Sequence, residues 1–332
     1  AILNIPWIGW SKGTGVPASV AFGLEQQGNV TRLSDFKLRG DTFGATGALS
    51  LVDGSLQTIS FPSAKLNRSD DFSFSMKAER NGYAITVRGK SIDARSIVKL
   101  YGGKDGGDGR GADTGPVRVD LAVDAMTGFH GETLRGVTLK FAGTNGRTDR
   151  LEFAATTSSG AKVVFSDTRE GEARTVTMTS SDAGAILRFL DVYEHMEGGA
   201  IALSMRGTGS GPLSGQVDAR DFWIVNEPRL RSLVASTPTG GDRSLNQAVR
   251  GDIDTTRVQF ERAFSLVATG NGALDLQRGV VRGPLIGSTF QGRLYDAAGN
   301  IDMTGTFMPA YGLNRIFGEI PLIGQLLGNG RD

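Results

Sequence analysis

In Val117-Arg118-Val119-Asp120-Leu121-Ala122-Val123-Asp124 every odd position is apolar and charges fall between, the pattern of a strand with one dry and one wet face. The same period recurs in Phe72, Phe74, Met76; in Tyr83, Ile85, Val87; in Val137, Leu139, Phe141; in Leu151, Phe153, Ala155; in Val163, Phe165; in Ile201, Leu203, Met205; in Phe264, Leu266, Ala268; and in Met303, Gly305, Phe307. Between the runs sit Asp53-Gly54, Asn81-Gly82, Asn145-Gly146 and Gly270-Asn271-Gly272, turn dipeptides that favour hairpins. The fold class read from this is all-β with a few short helices, built on a long antiparallel meander sheet. With a strand and its turn taking about 12 residues, the 332-residue chain holds on the order of 25 strands.

Composition removes whole classes of function. There is no cysteine, so disulfides, thiolate catalysis and thiolate metal sites are out, and two histidines, His130 and His195, are too few for a multi-histidine centre. Lys and Arg number 36 against 35 Asp and Glu, a balance that argues against a nucleic-acid partner. No run approaches the ~18 apolar residues of a membrane span and no signal-like segment opens the chain. It begins as if in mid-strand and reads as a piece of a longer protein. Glycine, at 48 residues, is about twice its usual share, which fits many turns.

Helices are few. Ser181-Asp182 caps one with an apolar stripe of Ala185, Ile186, Phe189, Leu190 and Tyr193; a short one spans 228–235; and one spans 313–327 with Leu313, Ile316, Phe317, Ile320, Ile323 and Leu326 as an end cap, interrupted by Pro321. Some three apolar side chains per strand must be covered, and a 13-residue helix is ~20 Å long, enough for about four strands. The sheet must therefore face a second sheet, close as a barrel, or curl lengthwise into a U-shaped hydrophobic groove. A groove that stays open suits long apolar guests such as acyl chains. Its expected lining is Phe72, Phe74, Met76, Val117, Val119, Leu121, Val123, Leu139, Phe141, Leu151, Phe153, Val163, Phe165, Ile201, Leu203, Met205 and Leu266. The division expected along the chain is a groove segment at 1–101, a flexible Gly/Asp loop at 102–114, a second groove segment at 115–310 and the helical cap at 311–332.

No catalytic constellation is found, and the chain is expected not to be an enzyme. Gly9-Trp10-Ser11-Lys12-Gly13 matches a nucleophile elbow in letters, but Gly13-Thr14-Gly15-Val16-Pro17 cannot start the helix that motif needs. Gly13-x-Gly15-x-x-Ala18 lacks the surrounding βα pattern of a dinucleotide site. Asp105, Asp108 and Asp113 lack EF-hand spacing, and His195, beside Glu194 and Glu197, reads as a solvated helix end. No metal and no cofactor is expected.

One stretch carries a resemblance. Gly305-Thr306-Phe307-Met308-Pro309-Ala310 with Asn314 and Ile320-Pro321-Leu322-Ile323-Gly324, preceded in order by Ser181-Asp182-Ala183-Gly184-Ala185, Gly198-Gly199, Pro228-Arg229-Leu230 and Gly283-Pro284-Leu285-Ile286-Gly287, resembles the C-terminal region of AsmA-like proteins of the YhdP type. The resemblance covers about 180–327 and is looser before that. It implies a U-shaped β-groove in the periplasm of a Gram-negative cell, anchored in the inner membrane by a segment outside this sequence. It also implies phospholipid as cargo, bridge-like transfer toward the outer membrane, a role in outer membrane biogenesis, and an envelope partner protein at the C-terminal end. The alternative is a non-enzymatic envelope scaffold or adhesin with a self-packed β-sandwich.

Overall fold

Asp53 and Gly54 both take positive φ, 50° and 75°, the conformation that lets a two-residue turn match the twist of its flanking strands. Repeated down the chain, such turns build a meander. The computed structural model describes residues 4–5, 10–102, 115–145, 147–209, 211–230, 254–270, 273–284, 286–295 and 302–309. A short hairpin of β1 (Asn4–Ile5) and β2 (Trp10–Ser11) precedes the main sheet. Then come β3 (Ala18–Gln27), β4 (Val30–Gly40), β5 (Gly44–Val52), β6 (Ser55–Lys65), β7 (Asp71–Glu79), β8 (Gly82–Asp93), α1 (Arg95–Gly102), β9 (Pro116–Thr127), β10 (Thr133–Thr144), β11 (Arg147–Thr156), β12 (Lys162–Glu170) and β13 (Ala173–Ser180). After α2 (Ala183–Phe189) follow β14 (Met196–Thr208), β15 (Leu213–Val225), β16 (Arg257–Gly270), β17 (Ala273–Arg282), β18 (Ile286–Tyr295) and β19 (Asp302–Pro309).

The strands from β3 to β19 form one long curled, unclosed sheet of 17 strands, each paired with its neighbours in sequence. Among the described residues the strands of this sheet run from 8 to 14 residues, so each uses about as much chain as was expected for a strand with its turn. The sheet is mixed where a pure meander was expected: β8 and β9 run parallel, Tyr83 opposite Val117 and Val87 opposite Leu121. A parallel pair needs a crossover from the far end of one strand to the near end of the next. α1, absent from the sequence reading, begins that crossover. The loop expected at 102–114 lies outside the described residues from 103 onward, and β8–β9 pairing makes the two expected groove segments one sheet.

Every strand runs between two rims. One rim carries tight turns, at 28–29, 53–54, 80–81 and 171–172; the other carries α1, α2 and the Trp10–Phe43 contact, an edge-to-face pair 5.4 Å apart whose indole N–H donates to the Leu66 carbonyl at 2.7 Å. The buried positions change parity as the strands near this helix rim: Val137 to Leu134 in β10, Ile201 to Met196 in β14, Ala219 to Phe222 in β15. Each change falls at positive φ, at Gly136 (56°), Gly198 and Gly199 (63° and 83°) and Asp221 (54°). Bulges and kinks of this kind bend a strand. Here they turn the ends of the strands toward the helices.

The start of α1 is fastened by two carboxylates. Asp70 accepts N–H bonds from Leu66, Asn67 and Asp93 at 3.0, 2.8 and 2.7 Å, yet burial outweighs them and holds its carboxyl above the ordinary 3.8. Asp93 is pulled the other way, chiefly by the Arg95 side chain, whose Nε donates at 2.9 Å. Because the folded-state pKa of Asp93 lies below 3.8, its contribution is complete above that pH and is lost as pH falls through the lower value. With Arg95 half-exposed, Asp93→Asn should cost about 0.5–1 kcal/mol at pH 7. Urea melts should show this gap unchanged down to about pH 4 and closing below it.

Candidate functional site: an apolar trough

Register carries the apolar face from strand to strand. One row reads Phe61, Phe74, Val87, Leu121, Leu139, Phe153, Phe165, Met178, Leu203 and Val217, each directly opposite the next from β6 to β15. At ~4.8 Å per strand the row is roughly 40 Å long. A second row, closer to the turn rim, reads Leu24, Leu33, Leu49, Ile59, Met76, Ile85, Val119, Phe141 and Leu151. The opposite face of the same strands is charged, with ion pairs Arg118–Glu79 at 2.8 Å and Arg88–Asp120 at 3.0 Å.

The helices roof only the part of the trough near their own rim. α2 is capped by Asp182, whose Oδ1 accepts from Ala185 N at 3.0 Å and whose Oδ2 accepts from the Ser159 hydroxyl at 2.6 Å. Its Ile186 and Phe189 pack on Val123, Met126, Leu134, Val137, Ala155 and Val163, joined by Val98 of α1. Ala183 lies with Met196, Ile201, Phe222 and Phe260. Glycines permit this seat: a Cβ on Gly184 would lie 2.3 Å from the Met196 carbonyl, and one on Gly128 2.3 Å from the Phe189 ring. Arg188 ties the helix to the turn after β9 through Glu132 at 2.7 Å, and both ring nitrogens of His130 in that turn face carboxylates, Asp191 at 2.6 Å and Glu194 at 3.2 Å.

The expected lining residues divide three ways. Phe72, Val123, Val163, Ile201 and Met205 are buried in packed clusters, and Met76 is buried outside them. Phe74, Leu121, Phe153, Phe165 and Leu203 are half-buried and pack against those clusters. Val117, Val119, Leu139, Phe141 and Leu151 are half-buried and lie outside every packed cluster among the described residues. Leu266 is a correction: it pairs with Gln216 on the face opposite Val267 and Met205, so it is not in the trough. The period-two run Phe264, Leu266, Ala268 follows the outer face of β16, while Ser265 and Val267 point in. The end-cap residues Leu313, Ile316, Phe317, Ile320, Ile323 and Leu326, and all but 228–230 of the 228–235 helix, lie outside the described residues.

Charges that sequence reading passed over are also placed. Asp218, 4% exposed on the outer face, is held by Arg220 and by both Nε and Nη2 of Arg262, at 3.0 Å each. On the trough side Asp167, 5% exposed, accepts a two-point bond from Arg174 at 3.0 and 2.7 Å. Arg220 stands two residues from Asp218 on the same strand, but Arg262 comes from the next strand and Arg174 reaches Asp167 across a turn, so the sequence alone does not mark either aspartate as buried. His195 donates from Nδ1 to the Val225 carbonyl, 3.1 Å away, and among the described residues no three His, Asp or Glu side chains are placed to hold a metal ion.

No family model matches the chain, and neither a curated protein nor a solved structure does. The site therefore rests on its own geometry: an apolar trough, roofed by helices along one rim and, among the described residues, covered by no packed cluster toward the other rim at β9–β11.

Because Gly184 meets backbone, its replacement cannot be absorbed by a side-chain shift. Gly184→Ala should lift α2 from its seat and cost about 1–3 kcal/mol in a denaturant melt, with the secondary structure signal retained.

Proposed function

We propose that the chain carries phospholipid acyl chains along its trough, as a non-enzymatic element of lipid transfer. The observation that supports this reading best is the half-buried patch of Val117, Val119, Leu139, Phe141 and Leu151, apolar side chains at the centre of the sheet that no packed cluster among the described residues covers. Covering them with an acyl chain gains about 0.8 kcal/mol per buried methylene. The rows present equivalent apolar positions at each ~4.8 Å step, so a chain sliding along them trades like for like and meets no single deep well. The resemblance to AsmA-like proteins adds the setting: a periplasmic groove anchored at the inner membrane and handing phospholipid to a partner or to the outer membrane.

Phe141 and Leu151 sit directly opposite one another, which makes them the positions to test. Protein purified without detergent should yield phospholipid on solvent extraction, and a photoactivatable acyl probe should crosslink at position 141. Phe141→Asp and Leu151→Asp should each remove most of the bound lipid while leaving the melting transition within a few degrees, because neither side chain supports a packed cluster. Lipid-free protein that fails to crosslink would favour a scaffold with no cargo and end the transfer reading.

A further inference from the structure

One place on the trough side carries charge. Leu151 is followed in its row by Asp167 on β12, and beyond Asp167, directly opposite on β13, comes Val176. Two residues further toward the turn rim, Arg169 and Arg174 stand directly opposite each other on the same face. Like charges in that position repel across a strand pair. A buried ion pair such as Asp167–Arg174 is seldom worth more to stability than apolar residues of the same size. The arrangement therefore points to a use other than holding the sheet together.

The two guanidiniums are held and underused. Arg174 spends its Nε and one Nη2 proton on Asp167; Arg169 spends Nε on the Thr148 carbonyl at 2.8 Å and Nη1 on the Gly209 carbonyl at 2.5 Å. A guanidinium carries five N–H donors, so each keeps three. The side chain of Arg174 is 27% exposed. Nearby carboxylates do not neutralise the pair: Asp149 is engaged by Arg147 and the Thr144 hydroxyl, and Glu170 and Glu172 form no ion pair with either arginine among the described residues. Two positive charges against the one carboxylate of Asp167 leave a net charge of one, which a phosphodiester would balance. Phe165, one step inward from Asp167, begins the apolar row.

The geometry points to a phosphate site at Arg169 and Arg174, where the headgroup phosphate of a phospholipid rests at the turn rim while its tails lie on the row of Phe153, Phe165 and Met178. This rests on the acyl-chain reading and adds polarity to it: heads at the turn rim, tails toward the helix rim. Guanidinium forks suit phosphate because two parallel donors meet two oxygens.

The full chain would be loaded from phosphatidylglycerol vesicles and, separately, with diacylglycerol of the same acyl chains, and the bound lipid extracted. Wild type should retain the phospholipid at least about tenfold over diacylglycerol, as expected for charge-assisted bonds. The variant Arg169→Gln with Asp167→Asn and Arg174→Gln, which removes the pair without stranding a buried charge, should bring that ratio near one with diacylglycerol loading unchanged. If the triple variant does not fold, Arg169→Gln alone, which leaves Asp167 paired, should lower the ratio part way. An unchanged ratio in a folded variant overturns the phosphate site and leaves the trough intact, whereas a wild type that takes up neither lipid fails the acyl-chain reading itself. Binding of inorganic phosphate, read by phosphorus NMR, without preference for the phospholipid would reassign the site to free phosphate and overturn the headgroup proposal.

Discussion

Everything in this molecule depends on keeping one face dry across 17 paired strands. Alternation within a strand is not enough, because a one-residue slip between neighbours sends the next apolar set to the wrong side. The registers meet this constraint at every pair along the row from Phe61 to Val217, including the parallel pair, where Val87 meets Leu121. There the crossover resets direction without changing face. Had β9 followed β8 antiparallel, the chain would have needed only a short turn; the parallel pairing instead places α1 over the helix rim, where Val98 joins the packed core.

The same constraint explains why the two rims differ. Helices can bury an apolar face only where the sheet presents itself at an angle that fits them, and the positive-φ residues Gly136, Gly198, Gly199 and Asp221 provide that angle beside α2. Beyond them Leu134, Met196 and Phe222 turn to meet Ile186, Phe189 and Ala183. Toward the turn rim no helix among the described residues covers β9–β11, and Val119, Phe141 and Leu151 stay half-buried. Two packed clusters therefore gather beside α2, with the polar fastenings Arg188–Glu132 and His130–Asp191, while Val176, Met205, Leu213 and Val267 pack as a separate cluster toward the turn rim of β13–β16.

How much of this was legible follows from which contacts are local. Hairpin turns such as Asp53-Gly54, the dry positions of β9, and the Asp182 cap of α2 are written within a few residues and can be read directly. The parity changes cannot, because Leu134 and Val137 look like one broken pattern until the pairing with Met126 and Val123 shows both on one side. Leu266 was misplaced for a related reason: Phe264, Leu266 and Ala268 alternate well, but which face they occupy is set by the register of β15, not by β16 itself. Arg169 and Arg174 are separated by only a turn, yet their meaning lies in Asp167, Leu151 and Val176 around them. The phosphate-sized gap in charge is a property of three strands.

The trough also reaches the edge of the sheet at β3. β3 has ten exposed residues of which only Glu25 is charged; Val20, Phe22 and Leu24 are 48%, 49% and 63% exposed, Val20 lying opposite Leu38 and Leu24 opposite Leu33 of the second row. Proteins ordinarily guard an edge of that length with lysine, proline or a bulge that turns it away, since its unpaired N–H and C=O groups can template another strand. A pocket built to hold one small molecule would close its apolar lining with polar residues at each end. Here the second row runs to Leu24 at the edge without interruption, and that continuity is what a path for a long apolar chain requires and what a self-contained packed core does not.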